Sequence, residues 1–333
     1  MRISMSEAKG IEGISRRGVF MPLDTVYSYA DMYGDLYELA ARYGDIVSVE
    51  TIGSSVLGRD IYALVVGRGS HRVLVGASFH AREHITTNYV MRFVESYTSA
   101  YAEGTTVDGV DARMMLDNVS FYIIPMINPD GVEIVQKGYE GVGGVDVVAK
   151  VMAGCNDETH KSWKANARGV DINRNFDYGW GRKHEAGIPS PSGYAGSLPM
   201  SEPETLAVAT YACRVRPEAV VAFHTQGETL YLSTPDSIAE RMAERLCEHT
   251  GFSVEPAEEP YGSFQDYIDH NFRVFYACVE LCPYIGPIPY PESEFETVWE
   301  SAKFVLPIVA EELCGVGFGV GRANPKNVIR KNI

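Results

Sequence analysis

The residues of this chain best suited to chemistry begin at His80-Ala81-Arg82-Glu83, an imidazole and a carboxylate three positions apart with a guanidinium between them. A neutral imidazole and a carboxylate on one side of a tight turn suit a zinc ion, which still needs a third ligand and a water. The spacing alone is a weak signal, since a charged surface turn produces it more often. Two further positions shift the balance. His224 follows the apolar run Ala219 to Phe223, much as His80 follows Val73 to Phe79. Glu280 lies inside Tyr276-Ala277-Cys278-Val279-Glu280-Leu281, where a charge is costly unless it faces a cleft or a cation. A lone buried histidine is usually a satisfied core residue, but several such features at strand ends are hard to obtain by chance.

The elements that must position these groups are legible from periodicity. Val73 to Phe79 is β-rich and short enough for a buried strand. Beyond Glu83, Tyr89, Phe93, Val94, Tyr97 and Tyr101 mark one face of a helix. The His-Glu pair therefore falls where a strand's carboxyl end turns into a helix, a usual location for a site in an open α/β sheet. Val47 to Ile52 and Ile61 to Val66 read as a hairpin, and residues 119–125, 219–223 and 275–281 as further strands. Met32, Leu36, Leu39 and Tyr43 mark an early helix. Ser201-Glu202-Pro203-Glu204 reads as a capping box opening another. Ile238, Met242 and Leu246 give a third, stopped by Gly251, and Val298, Ala302, Val305 and Val309 a single last one. Asn128-Pro129-Asp130-Gly131 reads as a turn, and residues 137–160 and 181–200 as loops.

Length and charge bound the rest. A chain of 333 residues has a prior of about two domains, yet residues 80 to 280 must build one site. The expected organisation is a lead-in over 1–23, one large domain over 24–314 and a weakly held extension over 315–333. The net charge of −15 disfavours nucleic acid and anionic membrane surfaces as partners. No apolar run is long enough to span a bilayer. No apolar h-region follows Arg16-Arg17, so a cytoplasmic location is expected. The six scattered cysteines are expected as free thiols.

At this level of detail the chain resembles the zinc metallocarboxypeptidases of the carboxypeptidase A/T superfamily. The resemblance rests on Ile52-Gly53-Ser54-Ser55 with Gly58-Arg59, on His80-Ala81-Arg82-Glu83-His84, and on Asn128-Pro129-Asp130-Gly131. It continues through Val170-Asp171-Ile172-Asn173-Arg174-Asn175-Phe176, Tyr194-Ala195-Gly196 with Ser201-Glu202-Pro203-Glu204, His224, and Glu280-Leu281. These stretches occur in the family's order over residues 27 to 313. The resemblance implies a three-layer α/β/α fold with a mixed, twisted sheet of about eight strands. It implies one Zn²⁺ per chain on His80, Glu83 and His224, the ligand set the handful of His₂Glu peptidases share, with Asp171 orienting His80. It further implies Glu280 as general base and acid, Asn173 and Arg174 as the grip on a substrate carboxylate, and Arg82 near the scissile carbonyl.

There are departures from the family pattern. Where relatives carry Trp-Arg, this chain has Trp163-Lys164, and lysine supplies charge without the planar fork. Tyr261 is the candidate for the family's mobile tyrosine. Gly262 to Tyr267 corresponds to a specificity-pocket strand with a one-residue insertion, which leaves Phe264, Gln265 and Asp266 as alternatives for the pocket. Cys278 shares a strand face with Glu280, so it is expected in the pocket beyond the cut bond, the alternative being a small core hydrophobe. Trp163-Lys164-Ala165-Asn166 and His224-Thr225-Gln226-Gly227-Glu228 with Leu230-Tyr231 are similar to the γ-D-glutamyl-L-diamino acid endopeptidase I branch. That implies cleavage of murein stem peptides between γ-D-glutamate and diaminopimelate. A general carboxypeptidase acting on peptide C-termini is the alternative, and a catalytically inactive zinc-binding module a remote one.

Overall fold

The computed structural model describes residues 24–138, 142, 159–183, 186–256 and 259–321. The expected lead-in, most of the 137–160 loop and the end of the extension lie outside the described residues. Eight strands form one mixed sheet: β1 (Val47–Ser54), β2 (Asp60–Val66), β3 (His71–Gly76), β4 (Val119–Ile124), β5 (Ala219–Thr225), β6 (Thr229–Ser233), β7 (Ser253–Glu255) and β8 (Phe275–Leu281). Their order across the sheet is β1-β2-β4-β3-β5-β8-β6-β7. β1 and β2 form the expected antiparallel hairpin, with Val47 opposite Val66. The centre, β4-β3-β5-β8, is parallel throughout.

Strand alternation sorts side chains between two cores. Val73, Val75, Val221, Ala277 and Val279 join the larger cluster with residues of the helices Tyr29–Arg42, Ile85–Glu103 and Val305–Cys314. Leu74, Val220, Ala222, Tyr276 and Cys278 face the smaller cluster, closed by the helices Pro203–Val215 and Phe264–Asn271. Both faces are therefore covered, as a parallel centre requires.

Several local expectations are corrected. Strand β3 stops at Gly76, so Ala77-Ser78-Phe79 leaves the sheet before His80; Ser78 takes a positive φ of 49°. Asn128 begins a helix, Pro129–Lys137, its side chain accepting from the Gly131 N–H while Pro129 occupies the first turn. Ser201 and Glu204 form no capping box: Glu202 is the N-cap, and Ser201 Oγ donates to Glu202 Oε1 at 2.8 Å. The last helix is two, Phe295–Ala302 and Val305–Cys314. The break places Pro307 in a first turn, where its missing N–H costs nothing. Residues 264–271 form a helix rather than a strand, capped reciprocally by Ser263 and Asp266. The extension begins firmly held, because Glu311 Oε1 accepts the N–H groups of Phe318, Gly319 and Val320.

Three fully buried asparagines pin the loops around the sheet's carboxyl edge. Asn128 Nδ2 donates to the carbonyls of Phe79, Lys164 and Ala165. Asn175 Nδ2 donates to the carbonyls of Ala195 and Leu198 and to Ser201 Oγ. Asn166 Oδ1 accepts from the N–H groups of Arg168 and Val170, and its Nδ2 donates to Glu202 and Glu204.

Glu204 is the costly member of this network. Burial pushes its carboxyl up to about 7, opposed by the Val56 N–H and Asn166 and reinforced by the charge of Asp130. Its ordinary value is 4.5, so between those values the folded chain holds a proton that the unfolded chain releases. Stability therefore falls as pH rises through this window, by at most about 3 kcal/mol. Glu204→Gln is expected to flatten that decline, measured as the change in urea midpoint between pH 5 and pH 7; an unaltered change would show that Glu204 does not titrate there.

Candidate functional site

The site follows from which strands are neighbours. β3 lies beside β5, and β5 beside β8, all parallel. Their carboxyl ends therefore deliver His80, just past β3, and His224 and Glu280, which are register partners on β5 and β8. Glu83 arrives on a single 3₁₀ turn, Ala81–Glu83, held by the Glu83 N–H donating to the His80 carbonyl. The N–H groups of Ala81 and Arg82 donate to the carbonyls of Lys164 and Trp163. That pairing brings Lys164 alongside, with Nζ 3.4 Å from Glu83 Oε1.

Three donor groups converge. His80 Nδ1 lies 2.9 Å from Glu83 Oε1, His224 Nδ1 lies 2.9 Å from Glu83 Oε2, and the two Nδ1 atoms are 3.3 Å apart. All three side chains are buried. Ligands about 2.0–2.1 Å from a tetrahedral zinc stand roughly 3.3 Å from one another, so the spacing suits that ion. Among the described residues this is the only such group of three. Asp171 Oδ1 stands 3.2 Å from His80 Nε2, on the side of the ring away from the cluster. Asp171 also accepts from the N–H groups of Asn173 and Gly193.

The electrostatics follow from burial and charge. Burial alone would raise the Glu83 carboxyl, but the charges of His80 and Lys164 and hydrogen bonds from both histidines hold it well below the usual range. The same contest, decided by His80, Arg174 and Lys164, holds Asp171 low. Glu280 goes the other way. Burial and the negative charge of Glu83 raise its carboxyl to about 7, with His224, Lys164 and Arg82 opposing. Its Oε2 is buried with no hydrogen-bond partner among the described residues. Burial, aided by the charges of Glu280 and Glu83, likewise raises the Cys278 thiol well above its ordinary range, leaving it a poor nucleophile.

A cleft of about 420 Å³ opens beside the cluster, lined by His80, Lys164, Asn173, Arg174, Cys278 and Glu280 among others. Asn173 Oδ1 accepts from the Phe264 N–H at 2.8 Å, which leaves its amide NH₂ as the end toward the cleft. The Arg174 guanidinium packs 4.4 Å over the ring of Tyr261, and Lys183 lies 5.1 Å from the same ring. Gly262 lets that loop close in: with φ at 93°, a Cβ there would meet the Arg174 carbonyl at 2.7 Å. Cys278 stands on the Glu280 side of its strand, facing the cleft and the smaller core together.

Two residues expected at the site sit differently. Arg82 does not line the cleft and reaches Glu280 only through its field. Asp266 lines the cleft, but its Oδ2 accepts from the N–H groups of Tyr261, Gly262 and Ser263 and from Ser263 Oγ, so that it anchors its own loop. Tyr178, Lys183, Tyr231, Gln265 and Asp269 complete the wall. Of these, only Gln265 stood among the alternatives for the pocket. Asp269 shares a helical face with Gln265, a relation invisible while the segment was read as a strand.

The comparisons with known proteins agree with this geometry. The family profile described as zinc carboxypeptidase matches residues 32–247. The γ-D-glutamyl-L-diamino acid endopeptidase 1 of Lysinibacillus sphaericus is 32% identical over 284 residues, 83% of this chain and 70% of that protein. Carboxypeptidase B of Bos taurus is 29% identical over 185 residues, 52% of this chain and 38% of its own. Among solved structures, thrombin-activatable fibrinolysis inhibitor superposes with a TM-score of 0.73 at 22% identity, covering 91% of this chain and 78% of that one. That last likeness speaks for the fold. With the profile spanning most of the domain and the first relative nearly a third identical, this chain belongs to the zinc carboxypeptidase family and is a zinc metallopeptidase.

Proposed function

We propose that this peptidase hydrolyses the γ-D-glutamyl–diaminopimelate amide of murein stem peptides, through one zinc per chain held by His80, Glu83 and His224. The observation that carries the hydrolytic part is the register pairing of Glu280 with His224. It sets a buried, unpartnered carboxylate oxygen beside the three donor groups, at the head of the cleft. The substrate part is supported by the Lysinibacillus sphaericus relative, which covers most of both chains. Bound there, zinc supplies Lewis acidity toward a carbonyl oxygen and a water.

The chain's own residues do the rest. Glu280 accepts a proton from the attacking water and passes it to the leaving nitrogen, a role worth about 10²- to 10⁴-fold. Lys164 places its ammonium where negative charge develops on the carbonyl oxygen. Arg174 and Asn173 hold the free carboxylate next to the cut bond, the guanidinium as a two-pronged donor. Tyr261 packs against Arg174 and limits its swing.

The direct test is hydrolysis of L-Ala-γ-D-Glu-diaminopimelate against a standard blocked dipeptide, with zinc per chain measured by elemental analysis. Preferred cleavage of the γ-D-glutamyl bond at one zinc per chain is expected; preference for the blocked dipeptide would make this a general carboxypeptidase.

Glu280→Gln is expected to keep its zinc while turnover falls by at least about 10²-fold. A variant with a tenth of normal activity would remove Glu280 from the proton-transfer role. Asp171→Ala is expected to weaken zinc binding by about 10- to 100-fold, read by competition with a chelator. Arg174→Ala should impair substrates with a free carboxylate next to the cut far more than their amides, compared through kcat/KM; equal losses would make Arg174 structural.

A further inference from the structure

The far end of the cleft holds a carboxylate that neither the zinc cluster nor the hydrolysis uses. Glu280, Cys278 and Tyr276 lie on one face of β8 and all line the cleft. The neighbouring β6 runs antiparallel beside them, pairing Glu280 with Thr229, Cys278 with Tyr231 and Tyr276 with Ser233. Ser233 thus sits four residues from the Glu280 level, about 13 Å along the strand. There its Oγ donates to Asp269 Oδ2 at 2.7 Å and accepts from Gln265 Nε2 at 3.0 Å. Gln265 and Asp269 are four residues apart on the helix Phe264–Asn271, so both point at the same wall.

We propose that Asp269, steadied by Ser233, is a specificity-determining carboxylate that receives the ammonium end of a long side chain on the residue after the cut bond. The proposal rests on the peptidase reading above and adds the residue that would select the leaving side chain, that of a diamino acid such as lysine or diaminopimelate. Distance selects for length, because a short side chain held at Arg174 and Glu280 ends well before the Ser233 level. Charge selects for an ammonium. Asp266 satisfies itself with four donors, and Glu280 has Lys164 and Arg82 nearby. Among the described residues Asp269 has only the Ser233 hydroxyl. Burial and the like charge of Asp266 push its carboxyl up to about 6, opposed by the Ser233 hydrogen bond and, among the described residues, by no cation. An arriving ammonium would supply the missing countercharge, at a partly shielded position where a charge-assisted hydrogen bond counts. A tether between helix and sheet would account for the Ser233 contact but not for a cleft-facing carboxylate with no ion-pair partner among the described residues.

The test uses the zinc-loaded enzyme with lysine, diaminopimelate or norleucine as the leaving residue, each behind a γ-D-glutamyl group and behind an ordinary blocked glycyl group. Lysine and diaminopimelate are expected to exceed norleucine in kcat/KM by about tenfold or more, chiefly through KM. Asp269→Asn should bring that ratio below about threefold, whichever acyl group precedes the bond. The acyl preference is a separate ratio and judges the murein reading on its own. Calorimetric binding of free L-lysine and L-norleucine to the wild-type zinc enzyme needs neither a variant nor turnover, and lysine is expected to bind more tightly. Equal binding of the two amino acids, or a side-chain ratio unchanged in Asp269→Asn, would overturn the proposal.

Discussion

Everything at the carboxyl edge of the sheet depends on one unfavourable convergence. Two imidazole nitrogens and a carboxylate point at a common position inside the protein, with the nitrogens 3.3 Å apart. Lone pairs so arranged repel one another unless a cation or protons lie between them. Removing such groups from water adds to the cost. The fold holds the arrangement through contacts on every side of the cluster. Thr225 donates its N–H to Glu83 Oε2 at 3.3 Å, Asp171 stands behind His80, and Lys164 leans on the other oxygen of Glu83. The parallel order β3-β5-β8 supplies the constraint that makes this possible, since adjacent strands of one polarity end on the same side. A sheet with any of the three reversed would send one of the groups to the opposite edge.

The same adjacency explains why one carboxylate is held low and the next is raised. Glu83 is buried and Glu280 lines the cleft beside it, yet only Glu83 touches two imidazoles and an ammonium. Glu280 receives the opposing charges at longer range and feels Glu83 as a like charge. Two neighbouring carboxylates pushed apart in this way divide the work, one suited to holding a cation and the other to exchanging a proton. No special residue type is needed for that division. It arises from register, because Glu280 pairs with His224 rather than with the residue before or after it.

Much of this was legible in the chain itself. His80, His224 and Glu280 each interrupt or end an apolar run, Glu83 follows three positions after the first, and strand alternation alone places Cys278 on the Glu280 side. The sheet was equally readable where strands are long and rich in β-branched or aromatic residues, as in Val47–Ser54 and Phe275–Leu281. What failed to show was chemistry settled by distant partners. Ser201 and Glu204 have the spacing of a capping box, but Asn175, Val56 and Asn166 claim their side chains from 26 or more positions away. Asn128-Pro129-Asp130-Gly131 has the composition of a turn, and becomes a helix start because Asn128 is buried among carbonyls that only the folded chain assembles.

The specificity wall was the least legible part for a related reason. A short segment such as Gly262 to Tyr267 carries too few apolar positions to distinguish period 2 from period 3.6. Read as a strand, it offers alternate residues to the cleft; folded as a helix, it offers residues four apart. The second spacing joins Gln265 to Asp269 and turns Asp266 inward to cap its own loop. His224 and Glu280 sit on strands buried from both sides, and His80 just past a third, where patterns are strong and register is fixed by the core. The residues proposed to face the substrate's side chain sit on a short helix and the loops that dock on it, such as the one Gly262 lets close against Arg174. Substitutions there alter the wall without disturbing the central ladder, so the chemistry can stay fixed while the accepted side chain changes.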